Sequence, residues 1–133
     1  MVKHVLFLCH GNVYRSQWAE GFFNHYNRNP GYAAKSAGMV ASGMFEDSIE
    51  RMREVGIDIS YAASKAATPE MIDEAHIIYD LAGYFEDLPK GKLRTRYVKD
   101  PNGLFEDEDS QRRIRSTIET LVLDLIQEIS NDA

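Results

Sequence analysis

Cysteine is almost missing from this chain. Cys9 is the only one in 133 residues, so no internal disulfide can form and no cysteine cluster is available for a metal. Metal-ligand spacing is missing as well: His4, His10, His25 and His76 stand at no ligand spacing with Cys9, and neither CxxC nor HExxH occurs. Neither a metal nor a cofactor is expected. No apolar run approaches the roughly 18 residues that span a bilayer, which argues against a membrane partner. Lys3 and His4 precede only a short apolar run that ends at Cys9 without a small-residue cleavage site, so no secretory signal is expected. Positive charge is also in deficit. Fifteen Lys and Arg against 21 Asp and Glu give a net charge of −6, the wrong sign for a nucleic-acid partner. Repeats, low-complexity tracts and linkers are absent. A lone thiol survives best in a reducing compartment, so a cytoplasmic location is expected.

What is present suits a globular α/β protein. With 44% hydrophobic and 27% charged residues, the chain is long enough to bury a core without staples, and residues 1–133 are expected to form a single domain. Residues 3–8 form a near-continuous apolar run, the pattern of a strand buried on both faces of a parallel sheet. From Ser16, Ala19, Phe22, Phe23 and Tyr26 recur at helical spacing until Asn29-Pro30-Gly31 stops them. A short strand is expected at residues 32–37, then a Gly- and Met-containing loop over 38–45. Asp47 or Ser48 would cap a second helix with Ile49, Met52 and Val55 inward, ended by Gly56. Thr68-Pro69-Glu70 has the order of a cap, a first-turn proline and an acid, predicting a short helix to about Glu74.

Residues 76–81 read as another buried strand, 84–88 as a helical turn before Pro89, and 93–98 as a last strand closed by the turn signal Asp100-Pro101-Asn102-Gly103. The last helix, from about Asp107 to Ser130, carries an apolar stripe of Ile114, Ile118, Leu121, Val122, Leu125 and Ile129. Trp18 and the Phe22-Phe23 pair read as packing residues. Alternating strands and helices predict a three-layer α/β/α domain around a central four-stranded parallel sheet, Rossmann-like, with ligands beyond the strands' carboxyl ends.

One stretch carries the chemistry. Cys9-His10-Gly11-Asn12-Val13-Tyr14-Arg15-Ser16 links the first strand to the first helix. If His10, Gly11, Asn12, Val13 and Tyr14 wrap into a loop, their backbone N–H groups converge on one point, and the helix directs its positive end there. Such a cradle suits phosphate, with Arg15 adding a bidentate fork and the Cys9 thiolate beneath as nucleophile. Ser16 is counted with residues 10–15 among the expected phosphate-binding residues and would also donate a hydrogen bond to the sulfur. A cysteine phosphatase further needs an acid for the leaving oxygen, and Asp100 is the candidate. By itself Cys9 reads as a buried strand-end residue and Asp100 as a turn residue; the spacing to Arg15 and Ser16 is what gives Cys9 a functional reading. His10 is not expected to act as a base, because adjacent loop side chains usually diverge.

The chain resembles the low-molecular-weight protein tyrosine phosphatase family, marked by C-x-G-N-x-C-R-S near the N-terminus and Asp-Pro near the C-terminus. The resemblance extends over nearly the whole chain through Ser36-Ala37-Gly38, Tyr79-Asp80 and Asp100-Pro101. It implies that Cys9 is the nucleophile, Arg15 the phosphate clamp and Asp100 the general acid, with Asn12 and Ser36 bracing the loop from behind. Asn fits such a loop because it tolerates the left-handed backbone conformation. The implied substrate is a phosphorylated protein or a small aryl phosphate, the product inorganic phosphate, and the assembly a monomer or weak dimer.

Tyr14 stands where the family commonly has a second cysteine, and Asn102-Gly103 where many members have tyrosines; Met44, Phe45 and Phe105 are candidate pocket walls instead. Val13 stands where a related arginine-phosphatase branch has threonine. Two alternatives accompany this reading. Arg15-Ser16-Gln17 and Ala19-Glu20-Gly21 also resemble arsenate reductases of the same fold; the thioredoxin-coupled form needs two further cysteines, so only a version using an external small thiol fits. The other is a phosphate-binding module without turnover.

A loop with one thiol predicts a distinct response to oxidation. Without a neighbouring cysteine to trap the sulfenic acid as a disulfide, Cys9 should pass on to irreversible sulfinic acid under peroxide. Activity after peroxide treatment should recover less with dithiothreitol than in a two-cysteine relative; equal recovery would refute this.

Overall fold

The computed structural model describes residues 1–85, 87–102 and 106–131. Strands β1 (Lys3–Cys9), β2 (Tyr32–Gly38), β3 (Ala75–Asp80) and β4 (Leu93–Thr95) form one sheet in the order β2-β1-β3-β4, with every pair parallel. The apolar strands are those that read as buried on both faces, and β1 lies between β2 and β3. Alternation sends Val5, Phe7 and Cys9 to one face and Leu6 and Leu8 to the other.

The two faces are covered unequally. Helices α1 (Arg15–Tyr26), α2 (Glu46–Arg53) and α4 (Glu108–Ile129) pack on the first face with Trp18, Phe22, Phe23, Met52, Ile118 and Val122 fully buried. The second face has the six-residue α3 (Pro69–Glu74) and the loop residues Phe85 and Leu88 over Leu6, Leu8 and Ile78. Trp18 and the Phe22-Phe23 pair are therefore core. The α4 stripe is buried as its period predicts, with Leu121 at the margin, and Asp107 caps the helix by accepting from the Ser110 amide. Thr68 caps α3 in the same way through the Met71 amide.

Four expectations are corrected. The last strand stops at Thr95 rather than running to Val98, because its partner β3 ends at Asp80, where the chain turns. The buried Asp80 carboxylate drives that turn by accepting from the amides of Ala82, Gly83 and Phe85. Tyr84 and Phe85 lie outside any helical turn, the Phe85 amide being spent on Asp80, while Asp87 lies in a turn; Glu86 lies outside the described residues. The N-cap of α2 is Phe45, without a side-chain cap; Asp47 and Ser48 fall inside the helix and bond elsewhere. Val55 lies past the end of α2 and is exposed. Of the closing turn, Gly103 lies outside the described residues.

Helices α2 and α4 are clamped by one carboxylate. Glu54, just after α2, accepts from Arg112 Nε and Nη2 at 3.1 and 2.7 Å, from Arg115 at 2.7 Å and from Arg51 at 2.9 Å. The hydrogen bond from Arg112, followed by that from Arg115 and the nearby charges, lowers the Glu54 pKa from 4.5 to about 2. The stabilisation is thus complete above pH 4.5 and disappears as pH falls towards 2. Glu54→Gln should cost about 1 kcal/mol at neutral pH after allowance for solvent screening. The variant's denaturation midpoint should also depend less steeply on pH in that acid window; an unchanged midpoint at pH 7 would refute the clamp.

Candidate active site

Cys9 ends β1 with 2% of its surface exposed, and the chain then loops through residues 10–14 before α1 begins at Arg15. The end of β2 comes against this loop so closely that only glycine fits at position 38. A Cβ there would lie 2.6 Å from the carbonyl oxygens of His10 and Val40 and 2.8 Å from the Asn12 nitrogen. Beyond Gly38 the chain runs along the loop, with the Met39, Val40 and Ser42 amides donating to the carbonyls of Cys9, His10 and Gly11. The loop is thereby held from outside largely by backbone, with Ser64 Oγ adding a bond to the Gly11 carbonyl at 3.3 Å.

From behind it is held by Asn12, which is fully buried and adopts φ 54°, the left-handed region that asparagine tolerates. Its Nδ2 donates to Ser16 Oγ at 2.7 Å and to Ser36 Oγ at 3.0 Å. Its Oδ1 accepts from the Lys65 amide at 2.8 Å and from Gln17 Nε2 at 3.1 Å. Ser36 passes its own proton to Glu20, and Ser16 Oγ lies 2.9 Å from Cys9 Sγ. With its oxygen accepting from Asn12, the Ser16 hydroxyl has its proton to give to the sulfur.

Arg15 is 4% exposed, and its Nη1 donates to the carbonyls of Val98 at 2.8 Å and Leu81 at 3.3 Å. Both carbonyls lie past the ends of β3 and β4, and that of Leu81 also accepts from the Val98 amide at 2.9 Å. Arg15 Nη2 lies 3.8 Å from Asp100 Oδ2, whose side chain is 53% exposed. A cavity of about 120 Å³ opens above Cys9, lined by His10, Gly11, Val13, Tyr14 and Arg15 on the loop side and by Ser42, Phe45, Asp100 and Asn102 around its mouth. The fold thus brings Cys9, Arg15 and Asp100 to one cavity from distant parts of the chain. Asn12 and Ser16, expected among the phosphate ligands, lie behind the loop rather than on the cavity wall. His10 is exposed and meets the Tyr84 ring edge to face at 5.9 Å.

Of the expected walls, Phe45 lines the cavity, whereas Met44 packs against the core; Phe105 lies outside the described residues. Tyr14 is 4% exposed and its hydroxyl donates to Asp47 Oδ1 at 2.7 Å. Burial first, then the hydrogen bond to Asp47 and the charges of Asp47 and Asp100, raise its pKa, so it stays a proton donor. Ser48 donates to the Val13 carbonyl at 2.7 Å and Trp18 donates its indole N–H to Ser48.

Sequence reasoning missed Ser42, Asp47, Glu20 and Gln111. Only Gln111 carried a readable signal: a polar residue one turn before Ile114 in the buried stripe of α4. Among the described residues no cluster of three or more His, Cys, Asp or Glu side chains forms a metal site, and no helix is long and apolar enough to cross a membrane.

Curated relatives include an arsenate reductase of Shouchella clausii, 38% identical over 105 residues, 79% of this chain and 73% of that protein. A glutaredoxin arsenate reductase of Synechocystis is 32% identical over 134 residues, 97% of this chain and all of the relative. Among solved structures, a low molecular weight protein tyrosine phosphatase from T. tengcongensis superposes with TM-score 0.82 at 28% identity, over 95% of this chain and 99% of its own. Residues 4–133 match the family model described as low molecular weight phosphotyrosine protein phosphatase, and the chain belongs to that family.

Proposed function

We propose that this protein is a cysteine-dependent phosphomonoester hydrolase acting on phosphotyrosine or a similar aryl phosphate, with residues 1–133 as one phosphatase domain working in the cytoplasm. Family membership supports the coarser statement of a cysteine-based phosphatase or arsenate reductase. The observation that carries the finer reading is the Asp100 carboxylate beside Arg15, at the mouth of the cavity that has Cys9 at its base. A hydrolase needs an acid there; a reductase of the thioredoxin-coupled kind needs two further cysteines, and the chain has none.

In the first step Cys9 Sγ attacks phosphorus in line, the P–S bond forms, the P–O bond breaks, and Asp100 gives its proton to the leaving phenolic oxygen. The loop amides and Arg15 stabilise the charge on the equatorial oxygens. In the second step a water attacks the cysteinyl-phosphate and gives its proton to Asp100. The P–S bond breaks and inorganic phosphate leaves. Ser16 hydrogen-bonds the sulfur when it is negative, at the start of the first step and the end of the second. The Tyr14 and Phe45 rings, 5.9 Å apart on the wall, offer an apolar flank for an aryl group.

The names of the curated relatives favour a second reading, arsenate reduction. Cys9 would then attack arsenic, and both reducing electrons would have to come from external thiols, because the chain offers no second sulfur.

Hydrolysis of p-nitrophenyl phosphate and phosphotyrosine, measured beside arsenate reduction with glutathione, separates the two. Wild type should hydrolyse both esters, Cys9→Ser should fall to background, and Asp100→Ala should lose about 10²–10⁴-fold in kcat on phosphotyrosine and much less on p-nitrophenyl phosphate, whose leaving group has less need of the proton. Arsenate turnover without phosphatase activity would overturn the proposal.

A further inference from the structure

Among the described residues, little holds Asp100 in place. Its closest cationic contact, Arg15, is at 3.8 Å, and its other bond, accepting from the Asn102 amide at 2.9 Å, is internal to its own turn. The anchoring of this segment comes through its two neighbours. Gln111 Nε2 on α4 donates to the Pro101 carbonyl at 3.2 Å and to Asp47 Oδ2 at 3.0 Å. The other Asp47 oxygen accepts from the Tyr14 hydroxyl at 2.7 Å, and that hydroxyl also faces Asn102 Oδ1 at 3.4 Å. Tyr14 belongs to the loop that wraps the cavity, and its ring is locked edge to face against Trp18 at 5.7 Å and Phe45 at 5.9 Å. A continuous chain of hydrogen bonds therefore runs from the phosphate loop through α2 and α4 to the segment bearing Asp100.

We propose that Tyr14 is a positioning residue: through Asp47, Gln111 and Asn102 its hydroxyl fixes the 100–102 segment so that the Asp100 carboxyl meets the leaving-group oxygen. The inference rests on the phosphomonoesterase reading, since it concerns delivery of the proton in the first step. The Tyr14 hydroxyl touches neither the transferred phosphoryl group nor the proton. It instead links the nucleophile's loop to the acid's turn.

Leaving-group dependence tests this directly. A poor leaving group such as phenol needs its proton, whereas p-nitrophenolate departs nearly unaided, so a misplaced acid harms the first far more than the second. Tyr14→Phe keeps the ring and its packing. It should lower kcat/KM for phenyl phosphate by about tenfold or more, lower that for p-nitrophenyl phosphate by less than about threefold, and leave inhibition by inorganic phosphate within about twofold. Asp47→Ala should give the same pattern, and the double variant should be little worse than either single one, because all three break one connection. Equal losses on both esters, or additive losses in the double variant, would mean that Tyr14 serves only the fold and would overturn the inference. Wild type inactive on both esters would overturn the phosphomonoesterase reading itself, and this inference with it.

Discussion

The loop over Cys9 is possible because one side chain occupies a backbone conformation most residues avoid and then satisfies every polar atom it has. Asn12 at φ 54° turns the chain back on itself, and its amide joins Ser16 at the start of α1, Ser36 on β2, Gln17 one turn into the helix and the backbone at Lys65. A buried amide bonded on all sides has one geometry only, so its neighbours are fixed with it. Removing it would leave buried donors and acceptors in at least three segments at once. The close approach of Gly38 completes the arrangement, because backbone packed on backbone leaves the loop no room to relax outward.

The remainder of the site is built on the thicker side of the sheet. Helices α1, α2 and α4 share that face, and α2 serves both as cavity wall and as bridge. Phe45 at its start lines the mouth, Ser48 supports the Val13 carbonyl, and Asp47 joins the loop to α4. The Glu54 clamp to Arg112 and Arg115 sets the spacing of α2 and α4 at the other end. The turn shaped by Asp80 and the segment after β4 contribute carbonyls rather than side chains: Leu81 and Val98 hold one nitrogen of Arg15. Acid and arginine are thus brought together where two strands stop pairing.

Much of this was legible because it follows from period and spacing. The strand-loop-helix around Cys9, the parallel order and the α4 stripe are all local patterns repeated over several residues. Asp100 could be singled out only through family resemblance, since an Asp-Pro pair alone reads as a turn. What escaped was the work of single polar side chains acting at a distance. Asp47 and Ser48 have the composition of helix caps, yet their oxygens go to Tyr14, Gln111 and Val13. The length of β4 was misjudged because extended sequence continues where the partner strand has already turned. Nothing in the residues flanking Arg15 marks the backbone carbonyls that hold it. Long-range hydrogen bonds to the main chain leave no periodic trace.

The solitary sulfur at the base of the cavity has a practical side. A chain with one cysteine, 2% exposed and reached only through the opening above it, gives any thiol-directed reagent a single address. Mass added by such a reagent counts occupied cavities one for one. Protection against labelling then measures how tightly an anion or ester sits there, with no other cysteine to mutate away first and no need for turnover.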